Sequence, residues 1–496
     1  MKLKILFITT ELIPFIKIGE LAEVVTGLAK AIANLGHDVR IFIPRYCNID
    51  KNKYRLQQIG PLSVPLGNCE KWCSVLLGNI PDTDIPVYFL ENDEYYGRQG
   101  IYGFSHKYPF DDNLSRFTLF SRGVFKLCRM IGWVPDILHA QDWQTSLVPV
   151  YLNTLEQGDI FSKTASILTI YNIGYQGIFP REDIYLTQIN SEKNNLDFEF
   201  YNQINLLKAG IINSDIITTV SPTYAKEILT PQYGFNLEGV LKQRSDDLYG
   251  ILNGIDYLYW NPEFNRRIPA PYSVDNLSGK DICKKELQEI AGFKKGKHIP
   301  LICMVNRLIE QNGIEELCGP SYGCLYSICR DMNIQFVIMG TGDDWCEREL
   351  SLLASRLSNL KVFLKHDERL AHRIEAGSDF FLIPSKYEPC GLNQMYAQRF
   401  GNLPIVRDTG GLSDTVEDYN EESGGGTGFI FQKMQPEDIY IAVERAVRVF
   451  QHRKDHFDKM RKRAMKKRFS WANSVKKYID LYNAAVAKKN IKRKKE

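Results

Sequence analysis

No apolar run in the chain approaches the roughly 20 residues needed to cross a bilayer, so nothing in it reads as a membrane span. Paired CxxC motifs are also missing. The eleven cysteines, from Cys47 to Cys390, are odd in number and scattered, which points to reduced thiols and a cytoplasmic setting and away from a disulfide framework. Cys69 and Cys73 have no second pair of ligands near them, so no metal is expected. A strong charge of one sign is absent as well, with a formal net charge of +3. Basic residues concentrate only in "RKRAMKKRF" at Arg461 to Phe469 and "KKNIKRKKE" at Lys488 to Glu496. Aromatic residues are not interleaved there as single-strand recognition requires. These runs therefore read as a solvated helix face and a tail, not as a nucleic-acid site. Lys2 and Lys4 before "ILFITT" faintly echo a secretory leader, but the apolar stretch ends at Glu11 without a small-residue cleavage site, and it reads as the first core strand. No solenoid repeat is found.

What the chain does contain is alternation. At 496 residues it is too long for one ordinary core, and two domains are the natural expectation. "KILFITT", a helical stretch from Leu21 to Leu35 with apolar residues at three- and four-residue spacing, and "DVRIFIP" form a strand, helix, strand unit closed by Gly36. "DILHA", "SILTIYN" and "DIITTVS" continue the series. The pattern restarts with "IPLICMVNRL", "IQFVIMGTGD", "LKVFLKH", "DFFLIPS" and "LPIVRDTGG". The fold class predicted is α/β, with two doubly wound Rossmann-like domains, 1–260 and 261–496, facing a deep cleft at the carboxyl ends of their strands. The aperiodic "YWNPEFNRRIPAPYSVDN" is the expected linker.

Several strand ends carry chemistry. After the first strand, "KIGEL" places Lys17 and Gly19 at a helix start, where N–H groups and a glycine suit an anion, yet Glu20 adds a carboxylate. Arg307 follows a later strand and is suited to bidentate grip of a diphosphate. "GTGDDW" allows close backbone approach. The most specific stretch, "PSKYEPCGLNQMYAQRFGNLPIVRDTGGLSDTV", offers Glu388, the backbone of Cys390, Gly391 and Leu392, and a second glycine-opened helix start at Thr409, Gly410, Gly411 and Leu412.

These residues resemble the bacterial glycogen synthases and plant starch synthases, retaining glucosyltransferases of the B-type fold. The likeness runs in order through "KILFITTELIPF", "HAQDWQTSLVPVYL", "YNIGYQGIFP", "ILNGIDYLYWNP", "PSKYEPCGLNQMY", "TGGLSDTV" and "FSWANSVKKYIDLY". It implies transfer of glucose from ADP-glucose to the non-reducing end of an α-1,4-glucan. ADP-glucose is then a substrate, and no cofactor, metal, nucleic acid or membrane is involved. The resemblance implies that Lys17 and Gly19 lie beside the diphosphate, and that Arg307 holds it. Glu388 with Cys390 to Leu392 would face the glucosyl hydroxyls, Asn253 the sugar, and Thr409 to Leu412 the phosphates. Asn172 would line the cleft, and Tyr396 would stand near the nucleotide. A cytoplasmic location is implied, or a plastid for a processed plant chain, and the final helix near 470–487 would cross back to the first domain.

Four motifs depart from the family pattern. Ile18 and Glu20 stand in the turn usually written KTGGL, and Asn312 replaces a lysine. Gln141 replaces the second histidine of HAHDW, at a position counted among the catalytic ones with Arg307 and Glu388. Tyr171 replaces the histidine of the next strand's HN. The expected activity is that of a hexosyltransferase; the alternative is a catalytically impaired relative serving as a glucan-binding scaffold or regulator.

Overall fold

The computed structural model describes residues 2–105, 108–158, 160–189 and 196–495. The chain divides into two compact units, Met1–Gly254 with Trp471–Glu496, and Ile255–Ser470.

The first unit is built on a nine-stranded sheet. Its seven parallel strands lie in the order Leu248–Gly250, Ile216–Thr219, Ala165–Ile170, Ile137–Gln141, Lys4–Ile8, Asp38–Pro44 and Pro86–Glu91. An antiparallel hairpin, Cys69–Asn79 and Gln57–Leu66, extends the last edge. The continuous apolar runs of the inner strands are explained by burial on both faces: every residue of Ile137–Gln141 and of Ala165–Ile170 is buried. Strand order reverses between Ile137–Gln141 and Lys4–Ile8, so the loops after these two strands flank the crevice where such sheets take ligands. The predicted helix runs Glu20–Asn34, burying Leu21, Val25, Leu28 and Ile32, and the chain leaves it through Gly36 at φ +89°.

The second unit holds six parallel strands in the order Leu360–Phe363, Gln335–Met339, Leu301–Val305, Phe380–Ile383, Leu403–Arg407 and Phe429–Phe431. In chain order this is 3-2-1-4-5-6, the doubly wound arrangement, with its switch between Leu301–Val305 and Phe380–Ile383. Apolar clusters cover both faces of this sheet.

Two features differ from the sequence reading, and a third agrees with it. Residues 255–260 pack in the second unit, six residues before the expected boundary. The expected linker is not a tether. Trp260 stacks on Tyr396 with centroids 3.8 Å apart, and the Tyr272 hydroxyl donates to the Phe400 carbonyl at 2.8 Å. The anchoring rings are separated from their partners by more than a hundred residues, which local composition does not reveal. As the family resemblance implies, the last helix, Trp471–Lys495, belongs to the first unit. There Trp471 lies against Gly27 and Gly254, and Tyr482 meets His139. At its basic end Lys488 bonds the Asp215 carbonyl and pairs with Asp247, and Lys489 bonds Asn153, so those two residues serve the fold. Glu496 and the side chains after Ile491 lie outside the described residues.

Candidate functional site

At the switch of the second unit, Leu301–Val305 ends in Asn306 and Arg307. The Arg307 N–H donates to Asn306 Oδ1 at 2.9 Å, and the guanidinium-bearing side chain is exposed. Phe380–Ile383 leads to Glu388, whose Oε2 accepts the Ser385 hydroxyl at 2.9 Å. Burial raises the Glu388 carboxyl to about 6, opposed by the Ser385 hydrogen bond and by the positive charge of Arg307. Sequence-distant Arg307 and Glu388 thus share one electrostatic neighbourhood.

The glycines of "TGGL" also have a structural use. The Gly411 N–H donates to the Glu388 carbonyl at 3.0 Å. A Cβ on Gly410, at φ +44°, would stand 1.9 Å from that same oxygen, and one on Gly411 would stand 1.9 Å from the Cys390 oxygen. Only glycine permits this approach of backbone to backbone, so the pair buttresses the loop that carries Glu388. Thr409 caps the short helix Gly410–Thr415, and Leu412 is fully buried. Gly391, at φ +66°, turns the loop toward helix Asn393–Arg399, whose Asn393 amide donates to the Val305 carbonyl at 2.9 Å. Cys390 and Leu392 are buried, and Tyr396 is covered by Trp260. Asn312, at the position of the family lysine, is 3% exposed and its amide donates to the Arg307 carbonyl at 2.8 Å. Its side chain therefore braces the Arg307 loop from inside.

In the first unit, the turn after Lys4–Ile8 also departs from expectation. Its Ile18 and Gly19 N–H groups, expected to point at an incoming anion, both donate to Glu11 Oε2, at 2.6 and 2.9 Å. The anion at this helix start is the protein's own. Lys17 is exposed and pairs with Glu23 in the helix's first turn, and Glu20 lies exposed on that same turn.

Two of the departures meet. The Tyr171 hydroxyl donates to Gln141 Oε1 at 2.8 Å, and Gln141 Nε2 donates to the His139 carbonyl at 3.1 Å. The motif's remaining histidine, His139, is a core residue held between Tyr482 and Thr169 at 2.9 and 2.7 Å, and burial lowers its imidazole to about 3. A cycle of Gln141→Ala and Tyr171→Phe should show a coupling of about 1 kcal/mol in urea unfolding. Strict additivity would show that the pair contributes no bond of its own.

Sequence reasoning missed Asp142, next to Gln141. Its backbone sits at φ 61°, ψ −174°, a region nearly reserved for glycine. Burial raises its carboxyl to about 8, with the charge of Glu11 adding to the effect. An acid one residue past a buried strand at a switch point was the available signal. Asn172 bonds the Gly174 N–H at 2.9 Å through its side chain. Asn253 is 3% exposed, and neither its Oδ1 nor its Nδ2 meets a hydrogen-bond partner among the described residues, a cost that a buried amide bears only when something else supplies the bonds. Among the described residues no cluster of three His, Cys, Asp or Glu side chains is arranged to hold a metal, and no helix is long and apolar enough to cross a membrane.

Residues 4–243 match the family model for the starch synthase catalytic domain, and residues 285–466 match that for glycosyl transferases group 1. The glycogen synthase of Treponema denticola is 45% identical over 98% of this chain and 99% of its own. Glycogen synthase 1 of Geobacter metallireducens is 42% identical, covering 98% and 97%. Among solved structures, the catalytic domain of starch synthase IV from Arabidopsis thaliana, bound to ADP and acarbose, superposes with a TM-score of 0.89 at 31% identity, covering 98% of this chain and 100% of that one.

Proposed function

Since the chain belongs to the glycogen and starch synthase family of glycosyltransferases, we propose that it transfers glucose from ADP-glucose to the non-reducing end of an α-1,4-glucan with retention of configuration. The observation that carries the reading is that Arg307 and Glu388 follow the two strands that flank the switch of the 3-2-1-4-5-6 sheet, with the Arg307 charge felt by the buried Glu388 carboxyl. An exposed guanidinium there suits a diphosphate bidentately, and it stabilises the charge that builds on departing ADP. Glu388, with the backbone of Cys390, Gly391 and Leu392, would take the glucosyl hydroxyls, and Thr409 to Leu412 would stand near the phosphates. By the family resemblance, Lys17 would lie beside a diphosphate, and the unsatisfied amide of Asn253 would bond a sugar hydroxyl. The bound ADP and acarbose of the Arabidopsis structure support the same donor and acceptor classes.

No protein nucleophile is assigned. In this reading the leaving phosphate takes the acceptor hydroxyl's proton on the same face, and the chain's own residues orient the two reactants. The carboxylate form of Glu388 accepts from donor hydroxyls, so transfer should fall as pH drops through about 6. A rate that is flat from pH 5 to 8 would remove Glu388 from this role.

A second reading, a glucan-binding relative without catalysis, is favoured by the Glu23 partner of Lys17. Transfer of labelled glucose to glycogen, with ADP-glucose and UDP-glucose as separate donors, decides between them. Incorporation from ADP-glucose supports the synthase, preference for UDP-glucose overturns the donor, and glycogen retention without incorporation from either supports the scaffold.

A further inference from the structure

The mechanism above leaves Glu11 without a task, although it is the best-coordinated carboxylate of the first unit's switch point. It is 3% exposed. One oxygen accepts the Ile18 and Gly19 N–H groups at 2.6 and 2.9 Å, and the other accepts the Tyr102 hydroxyl at 2.7 Å. Tyr102 is in turn 2.8 Å from the Thr10 hydroxyl. The backbone of Glu11 is clamped too, since its carbonyl accepts the Thr9 hydroxyl at 2.9 Å. Leu12 and Ile16 exchange N–H to carbonyl bonds at 3.0 Å and close the loop between acid and turn.

We infer that Glu11 is a positioning residue: its carboxylate, seated under the Lys17–Gly19 turn, fixes the backbone that presents Lys17 to the donor's diphosphate. The physical case is one of charge and reach. A buried carboxylate needs several donors, and the N–H groups opening a helix supply both hydrogen bonds and favourable dipole charge. Those two N–H groups are consequently occupied, so what this turn offers an outside phosphate is the exposed Lys17 ammonium, which such a phosphate would share with Glu23. Gly19 fits the same picture, because its missing side chain faces open space while its N–H faces Glu11. Tyr102, from a segment 91 residues away in sequence, holds the second oxygen and so fixes the carboxylate's rotation.

The inference rests on the synthase reading for what Lys17 meets, but not for the geometry of the turn. Its test joins amide hydrogen exchange of the segment 12–22 to ADP titration and steady-state kinetics on Glu11→Ala, Glu11→Gln and Tyr102→Phe. In Glu11→Ala the Ile18 and Gly19 amides should exchange about tenfold faster, ADP binding should weaken about tenfold, and KM for ADP-glucose should rise more than kcat falls. Glu11→Gln keeps an acceptor oxygen for the two N–H groups and a partner for Tyr102, so it should hold ADP affinity within about threefold of the unmodified protein. Tyr102→Phe should fall between the two.

A role in folding alone would lower the melting temperature in Glu11→Ala while leaving ADP affinity and KM unchanged, and that result overturns the inference. So does unchanged exchange at Ile18 and Gly19. If Glu11→Ala does not fold, the ordering of Glu11→Gln and Tyr102→Phe carries the test, and equal ADP affinity with equal exchange in both and in the unmodified protein counts against it. Unmodified protein that binds no ADP sinks the donor reading, and exchange at the two amides then decides this inference by itself.

Discussion

Replacing Gly411 with alanine is expected to lower kcat for glucosyl transfer by about 100-fold or more while the protein stays folded. The added Cβ would stand 1.9 Å from the Cys390 oxygen and 2.6 Å from its Cα. Those are main-chain atoms, which cannot swing aside as the end of a flexible side chain does. Relief has to come from separating the two loops, and that stretches the Gly411 N–H bond to the Glu388 carbonyl. Glu388 then moves with its backbone, and a displacement of an ångström at a positioning carboxylate is enough for a loss of this order. Gly410→Ala should act in the same direction, with an added backbone penalty at φ +44°. Gly239→Ala is the control, because its Cβ would meet nothing within 4 Å and it lies in helix Glu238–Gln243. The control should be neutral or slightly stabilising. Near-normal kcat in Gly411→Ala, beside an unchanged melting temperature, would mean that the loops relax without moving Glu388.

Arg307→Ala should cost about 10² to 10³ in kcat/KM, the scale of a lost charge-assisted contact to a charge that grows in the transition state. It carries a second signature that distinguishes it from simple loss of binding. The guanidinium lowers the Glu388 carboxyl toward its ordinary range, against the burial that raises it to about 6. Without Arg307 the proton is held to higher pH, so the acid limb of the rate profile should move upward. The loss relative to the unmodified protein should then be larger at pH 6.5 than at pH 8. Arg307→Lys keeps a charge without the bidentate geometry, and should recover the limb's position better than it recovers kcat/KM. A limb that does not move in Arg307→Ala would show that Glu388 is not the titrating group.

Reading the strands required only the chain itself. Buried parallel strands are short apolar runs, and the runs at "ILFI", "ILHA", "SILTI", "LICMV" and "FFLI" all became inner strands. The candidate site was legible where a residue type and a strand end coincide, as at Arg307 and Glu388. It was misread where the use of a group depends on a partner distant in sequence. The N–H groups of the "KIGEL" turn looked open because nothing local shows that Glu11 turns back to them. The packing role of the "TGG" glycines was hidden, because their close neighbours, the Glu388 and Cys390 carbonyls, belong to another loop. Gln141 and Tyr171 looked like two separate losses, and they are one hydrogen bond between neighbouring strand ends.

Sequence alone therefore settled the α/β class, the two successive sheets and the family, because periodicity and motif spacing are local properties carried by each segment. Tertiary structure decided which side chain faces which. It packed 255–277 onto the second unit through Trp260 and Tyr272, and set Glu11 beneath the turn it anchors. Those outcomes follow from the direction of individual hydrogen bonds and from backbone approaches that only glycine permits, and both depend on segments brought together by the sheets.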